Sequence, residues 1–303
     1  MKIGIISLGG ESSKHLAWEC RKYFGKVDSL DIKQFKVNLT NKGINVTYEN
    51  KDMEKYDCIY IRGSYRYALL QRSITRSLSH ETYMPIHPES FTIGHDKFLT
   101  LLELQKNHIR IPKTYYAATT KLAKKLLENV KYPIIMKVAK GTHGKGVMIA
   151  DSLTSAKTIL DMLEEFKEPY LIQEFVRTKK TTDIRVIVAG NKIISAYKRK
   201  AANYEIRTNI HSGGKRAVHI LTEEEKKLAL SSAKAIGAEI CGVDILNAKN
   251  PSVIEINLSP SLSVAREITG INMAKEIAKY LYRKTKDFKK PKKKKNGLKL
   301  FYY

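Results

Sequence analysis

Residues 132–150, YPIIMKVAKGTHGKGVMIA, read as two strands around a glycine-rich turn. Pro133–Val138 is an apolar strand, Lys140–Gly146 the turn and Val147–Ala150 the return strand, a hairpin whose register is set by its loop. Glycines let backbone amides come close to phosphate oxygens, and a nest of N–H groups holds an anion. The loop is not a Walker A motif, because no Ser or Thr follows Gly-Lys and both flanks are strands. A plain hairpin turn without a ligand is the competing reading. Lys137 interrupts an otherwise apolar strand. A buried lysine is rare unless paired; a nucleotide phosphate is one such partner, and a strand that alternates faces is the other explanation.

On either side of this hairpin the chain divides into units. Residues 1–92 alternate strands (Ile3–Ser7, Val27–Ile32, Ile44–Tyr48, Asp57–Ile61) with helices (Ser12–Phe24, Tyr65–Leu78), which predicts a parallel sheet. No G-x-G-x-x-G follows the first strand, so a dinucleotide fingerprint is missing. Residues 93–175 hold a helix at Asp96–Asn107, with Phe98, Leu101, Leu102 and Gln105 as its apolar face, and strands at Pro112–Ala117 and Tyr170–Val176 around the hairpin. Helices capped by Thr119 or Thr120 and by Ser152 lie between them. Residues 176–285 begin with strands Asp183–Ala189 and Lys192–Arg199 joined at Gly190-Asn191, followed by a loop over 201–219. A helix with the Thr222/Glu225 capping box then stops at Gly237. Strands at Ile240–Leu246 and Val253–Leu258 and two helices ending near Lys284 complete this unit. Residues 286–303 form a basic low-complexity tail, expected to be disordered.

The bulk numbers agree. A chain of 303 residues, 43% hydrophobic and 28% charged, has material for about two domains or three small lobes. No apolar run approaches the roughly 18–20 residues of a membrane span, and MKIGIISLGG reads as a strand, not a signal peptide. Cys20, Cys58 and Cys241 show no paired spacing, which excludes a disulfide scaffold or zinc ribbon and predicts a reducing, cytoplasmic setting. Lys+Arg is 55 against 30 Asp+Glu, a net charge of +25. Only part of it lies in the tail, so acidic partners are expected, with a solvated lysine-rich surface as the plain alternative.

Three further groups carry chemistry. Asp244, with Glu255 and Asn257 on one face of the next strand, offers three hard oxygen ligands at positions that should be apolar, as magnesium requires. Polar strand ends satisfied by backbone are the alternative. Asp183, Arg185, Arg199, Arg207, Asn209 and His211 make a basic and amide cluster suited to a transferring phosphoryl group and a developing oxyanion. Gln173-Glu174-Phe175-Val176 carries an apolar strand between two units. Its backbone could read an adenine edge and its carboxylate a ribose; a plain inter-domain strand is the competing reading.

In order, Asp96-Lys97, Lys137…Gly141-x-x-Gly144-x-Gly146, Gln173-Glu174-Phe175, Asp183-Ile184-Arg185, Arg207-x-Asn209…Gly213-Gly214, Gly242-Val243-Asp244 and Glu255-Ile256-Asn257-x-Ser259-Pro260 resemble the ATP-grasp superfamily, and within it the RimK-type glutamate ligases. The resemblance covers residues 60–280. It implies an ATP-grasp fold: an α/β class with an N-terminal open α/β pre-grasp lobe, a small lid lobe and a larger C-terminal metal-binding lobe. By position it implies that Lys97 and Lys137 hold ATP phosphates and that Gly144 lies in the loop covering them. Gln173, Glu174, Phe175 and Val176 would form the adenine hinge, with Asp183 near the ribose. Arg207 and Asn209 would line the nucleotide and acyl-phosphate site, and Asp244, Glu255 and Asn257 would hold Mg or Mn. Arg199 would stabilise the tetrahedral oxyanion, beside Arg185.

The implied reaction is ATP-dependent ligation of a carboxylate to an amine through an acyl phosphate, with L-glutamate or a related amino acid and an acidic or carboxylate-bearing acceptor. Arg62 and Arg66 could face that acceptor; Arg72 and Arg76 read more simply as a solvated helix face. Ser261 stands where the family usually has Gly, and His143 is not its commonest loop residue, but neither change removes a charged ligand. A homo-oligomer is expected, as relatives commonly self-associate. The alternative from another class is a nucleic-acid- or ribosome-associated nucleotide-binding protein that uses its basic tail for weak contact.

Overall fold

The computed structural model describes residues 1–41, 43–141, 146–178, 182–200 and 215–290. β1 (Lys2–Ser7) is buried along almost its whole length, because α1 (Glu11–Cys20) covers it and strands flank it on both sides. β2 (Lys26–Asp31) pairs parallel to it. β3 (Phe35–Thr40), β4 (Gly43–Tyr48) and β5 (Lys51–Asp52) then form a separate antiparallel sheet. β6 (Cys58–Ile61) returns to β1, giving the parallel order β2-β1-β6.

The parallel sheet is therefore present, but residues 44–48 are not part of it. Phe35, Val37 and Leu39 pair with Tyr48, Val46 and Ile44, a period-2 pattern on both arms that belongs to a hairpin. α2 (Ala68–Leu78) follows a single 3-10 turn at Tyr65–Tyr67, and α3 (Pro88–Ile93) starts on proline, where no intrahelical N–H is needed.

α4 (Lys97–Lys106) is capped by Asp96, which accepts from the N–H groups of Phe98 and Leu99. It buries Thr100, Leu101 and Leu104, not the expected set: Leu102 and Gln105 are exposed, and Phe98 stacks on Tyr116 at 4.7 Å. The stripe is turned because α4 packs on elements much later in the chain. β7 (Thr114–Tyr115), α5 (Thr120–Leu127), β8 (Ile134–Val138), β9 (Val147–Ala150), α6 (Leu153–Glu165) and β10 (Tyr170–Glu174) follow. Their strands make an antiparallel sheet in the order β7-β10-β8-β9. β7 is much shorter than the strand expected over 112–117. This small sheet has its own core, with Leu127, Ile134, Met136, Leu160 and Ile172 at its centre.

β11 (Thr182–Ala189), β12 (Lys192–Lys200), β13 (Lys215–Val218), α7 (Glu223–Ile236), β14 (Ile240–Leu246) and β15 (Ser252–Asn257) build a five-stranded antiparallel sheet, β13-β12-β11-β14-β15. Residues 215–218, expected in a loop, are its edge strand. The capping box of α7 is present in both directions, and Gly237 closes the helix at φ +72°. α8 (Leu262–Thr269) and α9 (Met273–Lys289) complete the chain. α9 runs beyond the expected end near Lys284, because Thr285 is buried, Phe288 packs near Tyr83 and Lys289 pairs with Asp57. Residues 291–303 of the basic tail lie outside the described residues. One core joins the first parallel sheet to this large sheet, through residues such as Ile5, Ile61, Phe91, Leu104, Val186 and Val243. Among the described residues no helix is long and apolar enough to cross a membrane.

Candidate functional site

The small sheet supplies one wall. Lys137 on β8 donates to Oε1 of Gln173 on β10 at 2.7 Å, and Gln173 donates through Nε2 to Thr114 Oγ1 at 2.8 Å. Gln173 is 2% exposed, so its amide is a fixed acceptor. Lys97 begins α4 and is tied to the hairpin twice: its N–H donates to the Ala139 carbonyl at 2.9 Å, and its ammonium to the Gly141 carbonyl at 3.2 Å. Gly146 closes the turn at φ +74°, and a Cβ there would lie 2.3 Å from Val138 Cγ2. Only glycine fits. Residues 142–145, including His143 and Gly144, lie outside the described residues.

The large sheet supplies the opposite wall. Register places Asp183 beside Arg199, Arg185 beside Asp244 and Asp244 beside Glu255. Arg199 grips Asp183 with two parallel bonds of 2.7 Å and reaches Asp244 Oδ2 at 2.9 Å. Arg185 holds both oxygens of Asp244. Asn257 donates to Asp244 Oδ2 at 3.4 Å. Asp183, Arg199 and Asp244 are 4%, 8% and 1% exposed, so this is a buried, mutually neutralising network. Burial alone would raise the Asp244 carboxyl, but Arg185 and Arg199 outweigh it and hold it below the usual carboxylate range.

The two walls sense each other. Burial pushes the Lys137 ammonium down to about 8; Lys97 adds to the fall and Glu255, on the facing sheet, opposes it. Burial also raises the Glu255 carboxyl, the Asp244 charge raises it further, and Lys97 with the two arginines pulls it back. Lys97 and Lys137 on the one side and Glu255 on the other thus lie near enough to feel each other's charge.

A hard divalent cation is tested by the donor set. Glu255 and Asp244 lie side by side with like charge, and a cation between them would relieve the repulsion that raises Glu255. Asn257 gives its amide N–H to Asp244, which leaves its carbonyl oxygen to accept. The residues fit magnesium or manganese as an Asp–Glu–Asn set. Glu255 and Asn257 are the readier ligands, since both Asp244 oxygens are already held by guanidinium groups. Among the described residues no group of three His, Cys, Asp or Glu side chains is placed to hold a metal.

Of the expected hinge, Glu174 spends its N–H on the Lys113 carbonyl and its carboxylate on Lys113 Nζ at 3.2 Å. The backbones of Phe175 and Val176, just past β10, make no hydrogen bond among the described residues. Arg207, Asn209 and His211 lie outside the described residues. Thr114, which fixes Gln173, was not anticipated, and neither was the part of Asp183 as a clamp on Arg199. The turn alone would pair Asp183 with Lys198; a β-bulge between Ile187 and Val188 shifts the register by one residue and brings Arg199 opposite it, which the sequence does not signal. Arg62 was anticipated near an acceptor; it is buried and donates to the Pro260 carbonyl at 2.8 Å, tying β6 to the loop after β15.

A family model described as the RimK-like ATP-grasp domain matches residues 94–281. Two relatives named probable alpha-L-glutamate ligase, from Vibrio atlanticus and Marinomonas sp., are 32% and 31% identical to the chain. The alignments cover 94% and 93% of it, and 97% and 95% of the relatives. Among solved structures, the ATP-grasp ligase PsnB, complexed with a phosphomimetic variant of its minimal precursor, magnesium and ADP, superposes with a TM-score of 0.73 at 15% identity. That likeness covers 94% of this chain and 98% of PsnB.

Proposed function

The chain belongs to the family of RimK-like ATP-grasp ligases, and from that premise we propose that it joins glutamate, through its amine, to a carboxylate-bearing acceptor by way of an acyl phosphate. What supports this reading is the electrostatic coupling of Lys97 and Lys137, at the small sheet, with Glu255 of the Asp244–Glu255–Asn257 set on the large sheet.

In this reading ATP is a substrate and lies between the sheets. Phe175 and Val176, whose backbones are unbonded among the described residues, offer the adenine edge an acceptor and a donor. Lys97 and Lys137 balance phosphate charge. A carboxylate oxygen of the acceptor attacks the γ-phosphorus, the bond to the β-phosphate oxygen breaks, and ADP leaves. The glutamate amine then attacks the acyl carbon, the C–O bond to phosphate breaks, and the amine proton passes to the medium. Arg185 and Arg199, fixed by Asp183 and Asp244, present positive charge without reorganising as the oxyanion develops. Glu255 and Asn257, with Asp244, would hold magnesium or manganese, which would supply Lewis-acid neutralisation of the phosphates. Glutamate is favoured because the relatives carry that name, and a peptide-like acceptor because the PsnB complex contains a precursor.

The test is release of ADP from ATP and magnesium with glutamate and a panel of carboxylate acceptors, with product mass as the second readout. The expected product gains one glutamyl unit per ADP, and Glu255→Ala abolishes magnesium-dependent release while remaining folded by circular dichroism. Undiminished turnover in Glu255→Ala rejects the metal assignment, and ADP release without any amide product rejects the ligase reading.

A further inference from the structure

The parallel sheet changes direction at β1: the chain leaves it for β2 on one side and returns through β6 on the other. In open sheets of this kind ligands bind beyond the carboxyl ends of the strands at such a point. There the structure has a cavity of about 720 Å³, lined by Leu8 beyond β1, Lys33 beyond β2 and Tyr65, Arg66 and Tyr67 beyond β6. Its other wall is the glycine-rich hairpin, with Val138, Lys140, Gly141 and Gly146, together with Glu168 before β10. Lys33, Arg66 and Lys140 make no ion pair among the described residues. The neighbouring Arg72 and Arg76, by contrast, are tied to Glu89. At the same edge Arg62, 5% exposed, meets among the described residues only neutral oxygens: Pro260 O at 2.8 Å, Ser13 Oγ at 3.3 Å and the Tyr60 hydroxyl at 3.4 Å. A buried cation without a carboxylate partner adds to the positive potential of that edge. Three cations without an ion pair among the described residues, against one acid in a single concavity, suit a ligand with several negative charges.

We propose that this cavity is a docking site for an acidic peptide segment, in which Lys33, Arg66 and Lys140 hold carboxylates of the acceptor other than the one that reacts. The proposal rests on the ligase reading for the identity of the occupant; Lys33 and Arg66 stand apart from the residues assigned to the nucleotide, and Lys140 opens the glycine-rich turn between the two. Tyr65 and Tyr67 give the methylenes of glutamate side chains a flat apolar wall. Each glutamate added to such an acceptor brings one more carboxylate, so affinity for the product of one round as substrate of the next rises with length.

The experiment measures binding of fluorescent hexaglutamate to the full chain by anisotropy, without ATP, at low and high salt, with hexaglutamine and an RNA hexamer as comparison probes. The double variant Lys33→Glu/Arg66→Glu is set against Lys121→Glu/Lys125→Glu, which changes net charge equally on exposed positions of α5. The expected result is salt-sensitive hexaglutamate binding that weakens by about tenfold or more in the first variant and holds in the second. Equal loss in both variants makes the effect one of net charge and overturns the proposal, as does equal binding of hexaglutamine or tighter binding of the RNA hexamer. The outcomes separate from those of the ligase reading. If wild type releases no glutamate-dependent ADP yet Lys33→Glu/Arg66→Glu loses hexaglutamate, the ligase reading falls and the docking site stands. If ADP release is present and both variants bind alike, the docking site falls alone.

Discussion

Lys137 and Arg199 are both cations set into strands, one in the small sheet and one in the large, and they are solvated in opposite ways. Arg199 has two carboxylates, Asp183 and Asp244, each within 2.9 Å. Lys137 has a neutral amide oxygen, and the acid Glu255 acts on it only through space. A paired buried charge is rigid and costly to break, whereas one held by a neutral dipole is poised to accept an anion. The large-sheet wall is therefore a fixed frame, and the small-sheet wall carries the unspent charge. The cores follow the same division: the large sheet shares its apolar interior with the first parallel sheet, and the small sheet has one of its own. The wall that carries the unspent charge is thus the wall built on the independent core.

Removing one partner from the paired wall has the largest expected effect. Asp244→Ala leaves Arg185 and Arg199 buried without their shared carboxylate and lowers unfolding free energy by about 3–5 kcal/mol, read as a shift of the urea midpoint. A midpoint that does not move shows that the network is not structural and dissolves the contrast. Lys137→Met reverses the pattern. Affinity for ADP falls by about tenfold or more as one charge-assisted phosphate bond is lost, while stability falls by about 1–3 kcal/mol at most, less than in Asp244→Ala, as the buried Gln173 oxygen loses its donor. Equal affinity in the variant contradicts the phosphate role.

The proton on Lys137 sharpens the same point. Burial has already lowered it to about 8, and the charged form, present below that value, is the one that binds phosphate. ADP affinity therefore falls as pH rises from 7 to 9, and Lys137→Arg flattens the profile, because a guanidinium keeps its proton. A pH-independent wild type places the phosphates elsewhere. The smallest effect is at a site remote from both walls: Thr222→Ala removes the α7 cap and costs about 1 kcal/mol of stability, with ADP affinity unchanged.

Much of this was legible in the sequence where local chemistry decides the outcome. Thr222 with Glu225, Gly237 after Ile236, and the hairpin around Gly146 each need only a few neighbouring residues. The β3–β4 hairpin was legible in principle, since Phe35, Val37 and Leu39 alternate up to Asn41 and Ile44, Val46 and Tyr48 alternate beyond it. It was hidden because its outer end is exposed, with Leu39 77% accessible, so hydrophobicity there reports pairing and not burial. The turn of α4 was not legible, because Leu104 is selected over Gln105 by α7 and β15, more than a hundred residues later. The site residues Lys137, Asp244, Glu255 and Asn257 stood out as polar groups in apolar strands. Their partners did not: Thr114 lies in a two-residue strand, and the cations of the first-sheet cavity come from three separate loops that only the fold brings together.

The position of bound nucleotide is the most direct measurement of the central claim. In a crystal structure of the full chain with ADP and magnesium, the diphosphate is predicted between the small and large sheets, within hydrogen-bonding distance of Lys137 and Lys97, with the metal on Glu255 and Asn257. Diphosphate bound in the first-sheet cavity or on the outer face of either sheet, with Lys137 still on Gln173 alone, contradicts the account.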